Sequence, residues 1–292
     1  MTNKSKVSAP PLDHPRSPSL QLPQGSCDAH CHIFGPFDRY PLPDERSFTP
    51  SPAPESALRR WHERFGFERC VIVQSQGHGY DHRPLLDALR AGAGRYRGVA
   101  LVRPDDTAAM LESYHEAGVR GARFHFLAHL GGRPDLDTIR NVAARIGPLG
   151  WHLAIHVAGN DIVEYSGFIE ALDLPVVIDH MARPDISTGP DGDAMTALKR
   201  LLDTGRVWVK LSGADRLSQT GAPFHDALPF ARSLAAHAPE RVVWGSDWPH
   251  VNLHAPMPDD GDLTDLIADI VPDETRRRLL LVDNPARLFG FR

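Results

Sequence analysis

Two histidines separated by one residue, His30 and His32, are the first residues in the chain whose spacing suggests chemistry. Successive side chains of a strand point to opposite faces, so an extended segment places both imidazoles on one face. There they can share a metal ion or a substrate oxygen, while Cys31 points to the opposite face. In a chain with 16 histidines this pair alone is weak evidence, so the rest of the sequence must supply its partners.

Other side chains able to act as acids, bases or hydrogen-bond donors follow short apolar runs further along the chain. These runs end in Gln74, Gln76 and His78; Arg123 and His125; His156; Asp179, His180 and Arg183; Lys210 and Arg216; and Asp247, His250 and Asn252. A single polar residue in such a place is usually a cap or a satisfied core group. Its repetition over six or seven runs predicts a polar pocket, provided that the ends of the runs meet.

The elements that must position these residues alternate between β-rich apolar runs and segments of helical period. We predict strands over Ser26-Phe34, Arg69-Ser75, Tyr96-Val102, Arg120-Phe126, Trp151-Val157, Pro175-His180, Val207-Ser212 and Arg241-Asp247. We predict helices over Pro54-Phe65, Asp81-Ala91, Asp106-Ala117, Asp135-Ile146, Asp161-Leu172, Asp191-Asp203, Asp226-Ala238 and Asp273-Val282. Most of these helices begin near an Asp or Pro, residues that suit a helix N-terminus.

Alternation of this kind predicts a parallel sheet, and eight repeats are the number that closes a (β/α)8 TIM barrel, an α/β fold. Runs such as 71–73 and 176–178 are apolar on both faces, as parallel strands beneath helices should be. The alternative is an open doubly wound sheet, but no Gly-rich phosphate loop follows a predicted strand. We expect a barrel over residues 26–292. Residues 1–25, rich in Pro and Ser, are expected to form an arm that is poorly ordered or wraps the surface.

Composition excludes several classes of protein. The 292 residues are 41% hydrophobic and 24% charged, with a formal net charge of -5, which is typical of a soluble enzyme. No apolar run approaches the ~20 residues of a membrane helix, and neither a secretory signal nor a basic nucleic-acid footprint is visible. Three cysteines without C-x-x-C spacing are typical of a reducing compartment. We expect a cytoplasmic monomer or small homo-oligomer that binds neither nucleic acid nor membrane.

Three motifs resemble those of a known family: His30-x-His32, His180 after the sixth strand, and Trp244-Gly245-Ser246-Asp247-Trp248-Pro249-His250 on the eighth. The sequence resembles the amidohydrolase superfamily. Within it, the chain is similar to the branch of 2-pyrone-4,6-dicarboxylate lactonases, 4-sulfomuconolactone hydrolases and sugar lactonases. The likeness covers nearly all of the chain after residue 25, including 177–185 and 283–289. It implies an amidohydrolase-like barrel and a lactone hydrolase of aromatic-compound breakdown.

Opening a lactone requires an activated water, a general base for its proton, and donors for the oxyanion that develops at the ring carbonyl. Asp247 is the predicted base, because it ends a strand beside a rigid Trp-Pro pair and the resemblance puts the water-activating aspartate of the superfamily there. His30, His32 and His180 are predicted to line the carbonyl side. They would act either as metal ligands or as direct donors to the oxyanion.

The resemblance leaves metal dependence open. Most of the superfamily uses a metal, whereas pyrone dicarboxylate lactonases hydrolyse without one. At the end of strand five this chain has His156 where those lactonases have tyrosine, and this is a ligand position in metal-dependent members. The candidate ligands for one divalent ion, with zinc as the expected metal, are His30, His32, His156, His180 and Asp247.

Arginines at strand ends predict an anionic substrate, because guanidinium groups bind carboxylate or sulfonate oxygens in pairs. These are Arg123, Arg183 and Arg216, which cluster with Lys210 at strand ends and predict a local positive field around the substrate in a protein whose net charge is negative. The further candidate substrate contacts are Gln76, His129, His156, His250 and Asn252. By resemblance Arg123 and Arg216 fall on substrate-carboxylate positions, whereas His129, Phe48 and Gln76 replace an arginine, a tyrosine and a serine. Both 2-pyrone-4,6-dicarboxylate-like and 4-sulfomuconolactone-like lactones therefore remain open.

Two other functions are compatible with the same residues. A decarboxylase or hydratase of this superfamily would use the same barrel and ligands on an unsaturated acid, and assays that compare lactone opening with carbon dioxide release would separate them. A noncatalytic barrel that binds anionic metabolites is the second, since a fold does not determine a function.

Overall fold

The computed structural model describes residues 7–127, 130, 132–253 and 255–291. Within these residues eight parallel strands pair in the order of the chain. They are β1 Cys27–Cys31, β2 Arg69–Val73, β3 Tyr96–Ala100, β4 Val119–His125, β5 His152–His156, β6 Val176–Ile178, β7 Val207–Lys210 and β8 Val242–Val243. The predicted (β/α)8 barrel is confirmed.

Backbone hydrogen bonds join the first strand to the last segment of the sheet. The amide of Ala29 donates to the carbonyl of Trp244 at 2.9 Å, and the amide of Asp247 donates to the carbonyl of His30 at 2.8 Å. Gly245 makes this approach possible, because a Cβ at this position would lie 2.5 Å from the Cβ of His30 and 2.7 Å from its backbone nitrogen. The closure therefore depends on a residue without a side chain.

Helices cover the outside of the barrel. The described chain contains α1 Glu55–Phe65, α2 Arg83–Ala91, α3 Ala108–Ala117, α4 Leu136–Ile146, α5 Asp161–Glu170, α6 Asp193–Asp203, α7 Ala214–Leu217, α8 Leu228–His237, α9 Asp260–Ile270, α10 Glu274–Arg278 and α11 Asn284–Phe289. Helices α7, α9 and α11 were not predicted, and the predicted helix over residues 273–282 is α10 continued by a π-helical turn. None of the helices in the described ranges is long and apolar enough to span a membrane.

Several strands are shorter than predicted at their carboxyl ends. The predicted strand 241–247 has only two residues in β8, because its chain turns and Asp247 adopts a left-handed conformation with φ of 63°. The predicted strand 175–180 likewise ends at Ile178, and a 3-10 turn with positive φ at His180 follows. At these turns the chain leaves the sheet, and the polar side chains predicted at the strand ends follow.

Apolar side chains form two buried layers. The larger layer lies between the strands and the helices, and it contains Ile72, Ile155 and Val209. The smaller layer contains alternate strand residues such as Val71, Ala154 and Val177, together with Phe289 and Phe291 from the chain terminus. Burial on both faces is what the apolar runs of parallel strands predict.

A buried carboxylate ties the closing strands to the first helix. Asp28 accepts hydrogen bonds from the amide and hydroxyl of Ser246 at 2.9 and 2.6 Å, and its second oxygen lies 3.2 Å from Nε2 of His62 in α1. The register of β1 shifts between Asp28 and Cys31. This irregularity allows Asp28 to contact α1 while His30 and His32 both face the barrel axis.

The described part of the amino-terminal arm lies against the barrel. Arg16 contacts Asp262 and Asp265 of α9 at 2.7 Å each. Closer to the strand ends, the hydroxyl of Ser8 accepts a hydrogen bond from the amide of Asn252 at 3.1 Å. Arm residues therefore reach the rim at which the polar strand ends collect.

The pair of Asp28 and His62 predicts a pH dependence of stability. Burial alone would lower the pKa of His62, but Asp28 and the thiol of Cys31 outweigh it and raise that pKa to about 9. Because the folded-state pKa lies above the ordinary value near 6.5, the stabilisation is complete below about pH 6.5 and is lost as the pH rises through 9. We expect the free energy of unfolding to fall by on the order of 3 kcal/mol over that range.

Urea denaturation between pH 6 and pH 10 measures this effect, with His62→Gln as the comparison variant. The variant keeps a hydrogen-bond donor but has no group that titrates, so its stability should change much less over the same range. Equal slopes for the two proteins would contradict the assignment.

Candidate active site

One cavity opens at the carboxyl ends of the strands, and its empty space is about 560 Å³ including the mouth. Most of the residues that line it are polar or charged. The lining consists of His32, Phe48, Ser75, Gln76, Arg123, His125, Leu130, His156, His180, Arg183, Arg216, Asp247, Val251 and Asn252. Most candidate residues therefore share one chamber of a size suited to a small molecule.

Asp247 lies at the base of this cavity and is held by an arginine. Nε and Nη2 of Arg216 both lie 2.6 Å from Oδ2 of Asp247. Burial acts to raise the pKa of Asp247, but Arg216 and the surrounding imidazoles together outweigh it and hold the pKa well below its ordinary range. The remaining oxygen, Oδ1, faces the imidazoles, so Asp247 is an ionised carboxylate with one oxygen directed at the predicted site.

Three imidazoles at the carboxyl ends of β1 and β6 surround Oδ1 of Asp247. Nε2 of His32 is at 3.3 Å, Nε2 of His30 at 3.5 Å and Nε2 of His180 at 3.8 Å. Burial lowers the pKa of His30 to about 3 and holds the pKa of His180 well below 6.5. The structure thus brings together the four residues predicted to be catalytic, with His30 fully buried below the cavity surface.

Hydrogen bonds on the far side of each ring indicate which nitrogen has the hydrogen. Nδ1 of His32 lies 2.7 Å from the carbonyl oxygen of Val73. A carbonyl only accepts, so Nδ1 of His32 is the donor and its Nε2 offers a lone pair to the site. Nδ1 of His180 lies 2.9 Å from the hydroxyl of Ser212, which can donate or accept.

A second buried carboxylate, Asp179, lies beneath the cavity between two cations. Its Oδ2 accepts from Nε of Arg123 at 2.8 Å, and its Oδ1 lies 3.1 Å from Nζ of Lys210. Lys210 is fully buried and does not line the cavity. The prediction that Lys210 lies with the arginines beside the substrate is therefore wrong. Its charge is below the floor of the cavity, where it contacts Asp179.

His156 occupies the cavity wall beside Arg123. Nη2 of Arg123 lies 3.2 Å from Nδ1 of His156, and Nδ1 of His125 is at 3.3 Å from the same atom. An arginine only donates, so Nδ1 of His156 accepts and Nε2 has the hydrogen. Neither nitrogen then offers a lone pair to a metal, and the structure does not bring His156 into the predicted ligand set.

Two buried donors at the cavity have no partner among the described residues. One is Nε2 of His156, and the other is Nε of Arg183. Burial lowers the pKa of Arg183 to about 10, which still leaves its guanidinium charged at neutral pH. Buried donors are almost always satisfied in proteins, so these two donors indicate that acceptor oxygens of a ligand or of water occupy the cavity beside them.

The other predicted substrate contacts divide into three groups. Gln76 and Asn252 line the cavity. His250 does not, because it is buried and its Nε2 lies 2.8 Å from Oδ1 of Asp260 in α9. His129 lies outside the described residues.

Sequence reasoning did not assign a role to several cavity residues. His125, Ser75, Leu130 and Val251 line the cavity. His125 was visible as a strand-end histidine two residues after Arg123, which is the spacing that places both side chains on one face. The apolar members gave no signal, because an isolated Leu or Val in a loop is indistinguishable from a packing residue.

The described chain offers candidate ligands for a metal. Ligand atoms of His30, His32 and Asp247 lie within 4.8 Å of one another, and so do those of His30, Asp179 and His180. The separation of 3.3 Å between Nε2 of His30 and Nε2 of His32 matches the edge of about 3.3 Å in a zinc tetrahedron with bonds near 2.0 Å. The spacing therefore fits zinc.

The hydrogen bonding of His30 does not fit zinc. Nζ of Lys210 lies 2.9 Å from Nδ1 of His30. Because lysine donates, Nε2 of His30 has the hydrogen and no lone pair for a metal. As hydrogen-bonded here, His30 is a donor and not a ligand.

The fold and the site define a (β/α)8 enzyme barrel with a strand-one histidine pair and a strand-eight aspartate. The amidohydrolase family model matches residues 27–291. The chain therefore belongs to the amidohydrolase family.

The chain is also similar to characterised relatives. It is 42% identical to 2-pyrone-4,6-dicarboxylate hydrolase of Comamonas testosteroni over 94% of this chain and 93% of the relative. It is 38% identical to 4-sulfomuconolactone hydrolase of Hydrogenophaga intermedia over 96% and 93%. A crystal structure from Agrobacterium tumefaciens superposes with a TM-score of 0.84 at 30% identity, covering 94% of this chain and 99% of that one.

The contact between Arg216 and Asp247 predicts how the base titrates. Replacing Arg216 by Met removes the largest of the effects that oppose burial, so the pKa of Asp247 should rise. The ¹³C chemical shift of the Asp247 carboxyl, followed against pH in ¹³C-aspartate-labelled protein, measures this. In the parent the carboxyl should remain ionised down to about pH 4.

Arg133→Met is the control, because Arg133 is exposed and pairs with Glu164 away from the cavity. It should leave the titration of Asp247 unchanged. An unchanged titration in Arg216→Met as well would show that Arg216 does not determine the charge of the base.

Proposed function

We propose that the protein hydrolyses an acidic lactone with two anionic groups, by attack of water on the ring carbonyl, in the breakdown of an aromatic compound. Two relatives named above are hydrolases of such lactones, a pyrone dicarboxylate and a sulfomuconolactone. The substrate is of one of these two kinds, since both combine a lactone carbonyl with two anionic groups.

The observation that carries this proposal is the unmatched positive and donor character of the cavity. Three arginines line it, and Arg123 and Arg216 are each held by one carboxylate. Arg183 and His156 retain buried donors without partners among the described residues. A ligand with carboxylate or sulfonate oxygens would satisfy these donors and balance the charge.

The reaction follows from the groups around Asp247. Oδ1 of Asp247 takes a proton from a water, whose oxygen forms a bond to the carbonyl carbon. In the proposal Ser212 donates to Nδ1 of His180, so Nε2 of His180 has the hydrogen and donates to the oxyanion. The bond from the carbonyl carbon to the ring oxygen then breaks. The proton held by Asp247 passes to the ring oxygen, and the product is an open-chain acid.

Removal of the base tests the chemistry. Asp247→Asn keeps the size and the contact with Arg216 but cannot accept the proton, so kcat should fall about a thousandfold or more. Turnover of 2-pyrone-4,6-dicarboxylate and of 4-sulfomuconolactone is measured by loss of lactone absorbance, and binding by calorimetry. Substrate affinity should survive the substitution.

Three outcomes contradict this part of the proposal. Undiminished turnover in Asp247→Asn removes Asp247 from its role. Carbon dioxide release by the parent assigns a decarboxylase. Binding of these lactones by the parent without any turnover assigns a binding protein.

The unpartnered guanidinium tests the substrate class. Arg183→Met should raise KM for the dianionic lactone about 10- to 100-fold, because one charge-assisted contact is lost. The change in KM for a neutral lactone of similar size should be small. Steady-state kinetics on both substrates measures the difference, with Arg133→Met as the control; equal effects on both lactones would show that Arg183 does not recognise an anion.

A further inference from the structure

Lys210 is a wholly buried lysine on the inner face of the barrel. Its Nζ lies 2.9 Å from Nδ1 of His30 and 3.1 Å from Oδ1 of Asp179. The mechanism above does not use it, since it lies beneath the cavity surface. Lysine has hydrogens to donate and its ammonium form cannot accept, so Nδ1 of His30 accepts from it. The ring hydrogen of His30 is thereby placed on Nε2.

The opposite side of His30 needs that hydrogen. Nε2 of His30 lies 3.3 Å from Nε2 of His32 and 3.5 Å from Oδ1 of Asp247. Nε2 of His32 offers a lone pair because its Nδ1 donates to Val73, and Oδ1 of Asp247 is an acceptor. One hydrogen on His30 can be shared between both as a three-centre bond. Without it, three acceptor atoms would face one another at these distances.

We propose that Lys210 is a positioning residue that makes His30 a hydrogen-bond donor to the base Asp247 and thereby keeps zinc out of the site. The inference rests on the proposed function for the role of Asp247 as base. Its claim about zinc rests only on the contacts of Lys210, His30 and Asp179.

A competing partner for His30 is already in place. Oδ1 of Asp179 lies 3.4 Å from the same Nδ1 of His30. Without Lys210, Nδ1 would donate to this carboxylate, which is the arrangement that orients histidine ligands in zinc sites. Nε2 of His30 would then offer a lone pair beside His32 and Asp247, at spacings close to the edges of a zinc tetrahedron. A proton and a metal ion are thus alternatives for the same position.

The test is Lys210→Met, which removes the donor and keeps a chain of similar length. Zinc chloride is titrated into the protein by calorimetry at fixed pH, and the ring tautomer of His30 is read from ¹⁵N NMR of histidine-labelled protein. His30→Gln identifies the His30 signal. In the parent we expect the hydrogen on Nε2. In Lys210→Met we expect it on Nδ1, with zinc affinity raised about tenfold or more.

Two controls separate this effect from damage to the barrel. Lys199→Met makes the same change in α6, where Lys199 pairs with Asp191 and does not line the cavity, and should keep the parent tautomer and zinc affinity. Lys210→Arg keeps a donor toward Nδ1 and should also keep the parent tautomer. The parent spectrum provides a test even when Lys210→Met does not fold.

A hydrogen on Nδ1 of His30 in the parent overturns the inference, and so does a folded Lys210→Met variant whose zinc affinity equals that of the parent. Both measurements are made without substrate. A protein that hydrolyses no lactone can therefore still pass or fail this test, so failure of the proposed function and failure of this inference are distinguishable.

Discussion

The interaction on which the site depends is the placement of one buried carboxylate, Asp179, between a cation from β4 and a cation from β7. Arg123 binds one of its oxygens and Lys210 the other. Burial would raise the pKa of Asp179, but Lys210 and Arg123 hold it well below the ordinary range. Each cation then contacts an imidazole, Arg123 at His156 and Lys210 at His30. Asp179 lies beneath the cavity, and through these two cations it determines which ring nitrogen has the hydrogen in His156 and in His30.

The contact between Asp247 and Arg216 likewise has two consequences. Their contact keeps the base ionised in a buried place where an isolated carboxylate would bind a proton. It also occupies an arginine that by resemblance contacts the substrate. An anion that binds in the cavity must therefore share Arg216 with Asp247. Arg183 and His156, in contrast, each have a buried donor that can bind an acceptor oxygen of the anion. The affinity for an anion is expected to come first from these two residues.

Much of the fold could be predicted because parallel strands buried on both faces have apolar sequences of limited length, and eight of them were recognisable. The polar ends of those runs also identified most of the cavity. Helix α9 was missed because one helix was assigned to each strand, and residues 260–270 then appeared as part of a long connection. The depth of Lys210 could not be predicted, because strand stagger decides which inward residue reaches the cavity. The contact of His250 with Asp260 in α9 was missed for the same reason as the helix.

The strand-one histidine pair and the strand-eight aspartate therefore do not by themselves decide whether a barrel of this family uses a metal. Three acceptor atoms at 3.3 to 3.5 Å repel one another unless a positive centre lies between them. A metal ion supplies that centre when the ring nitrogens offer lone pairs, and a shared hydrogen supplies it when one ring donates. The choice is made on the other side of His30, where a lysine and a carboxylate compete for a single nitrogen. Lys210, which lies one layer below the cavity floor, thus determines whether His30 offers a hydrogen or a lone pair to the site.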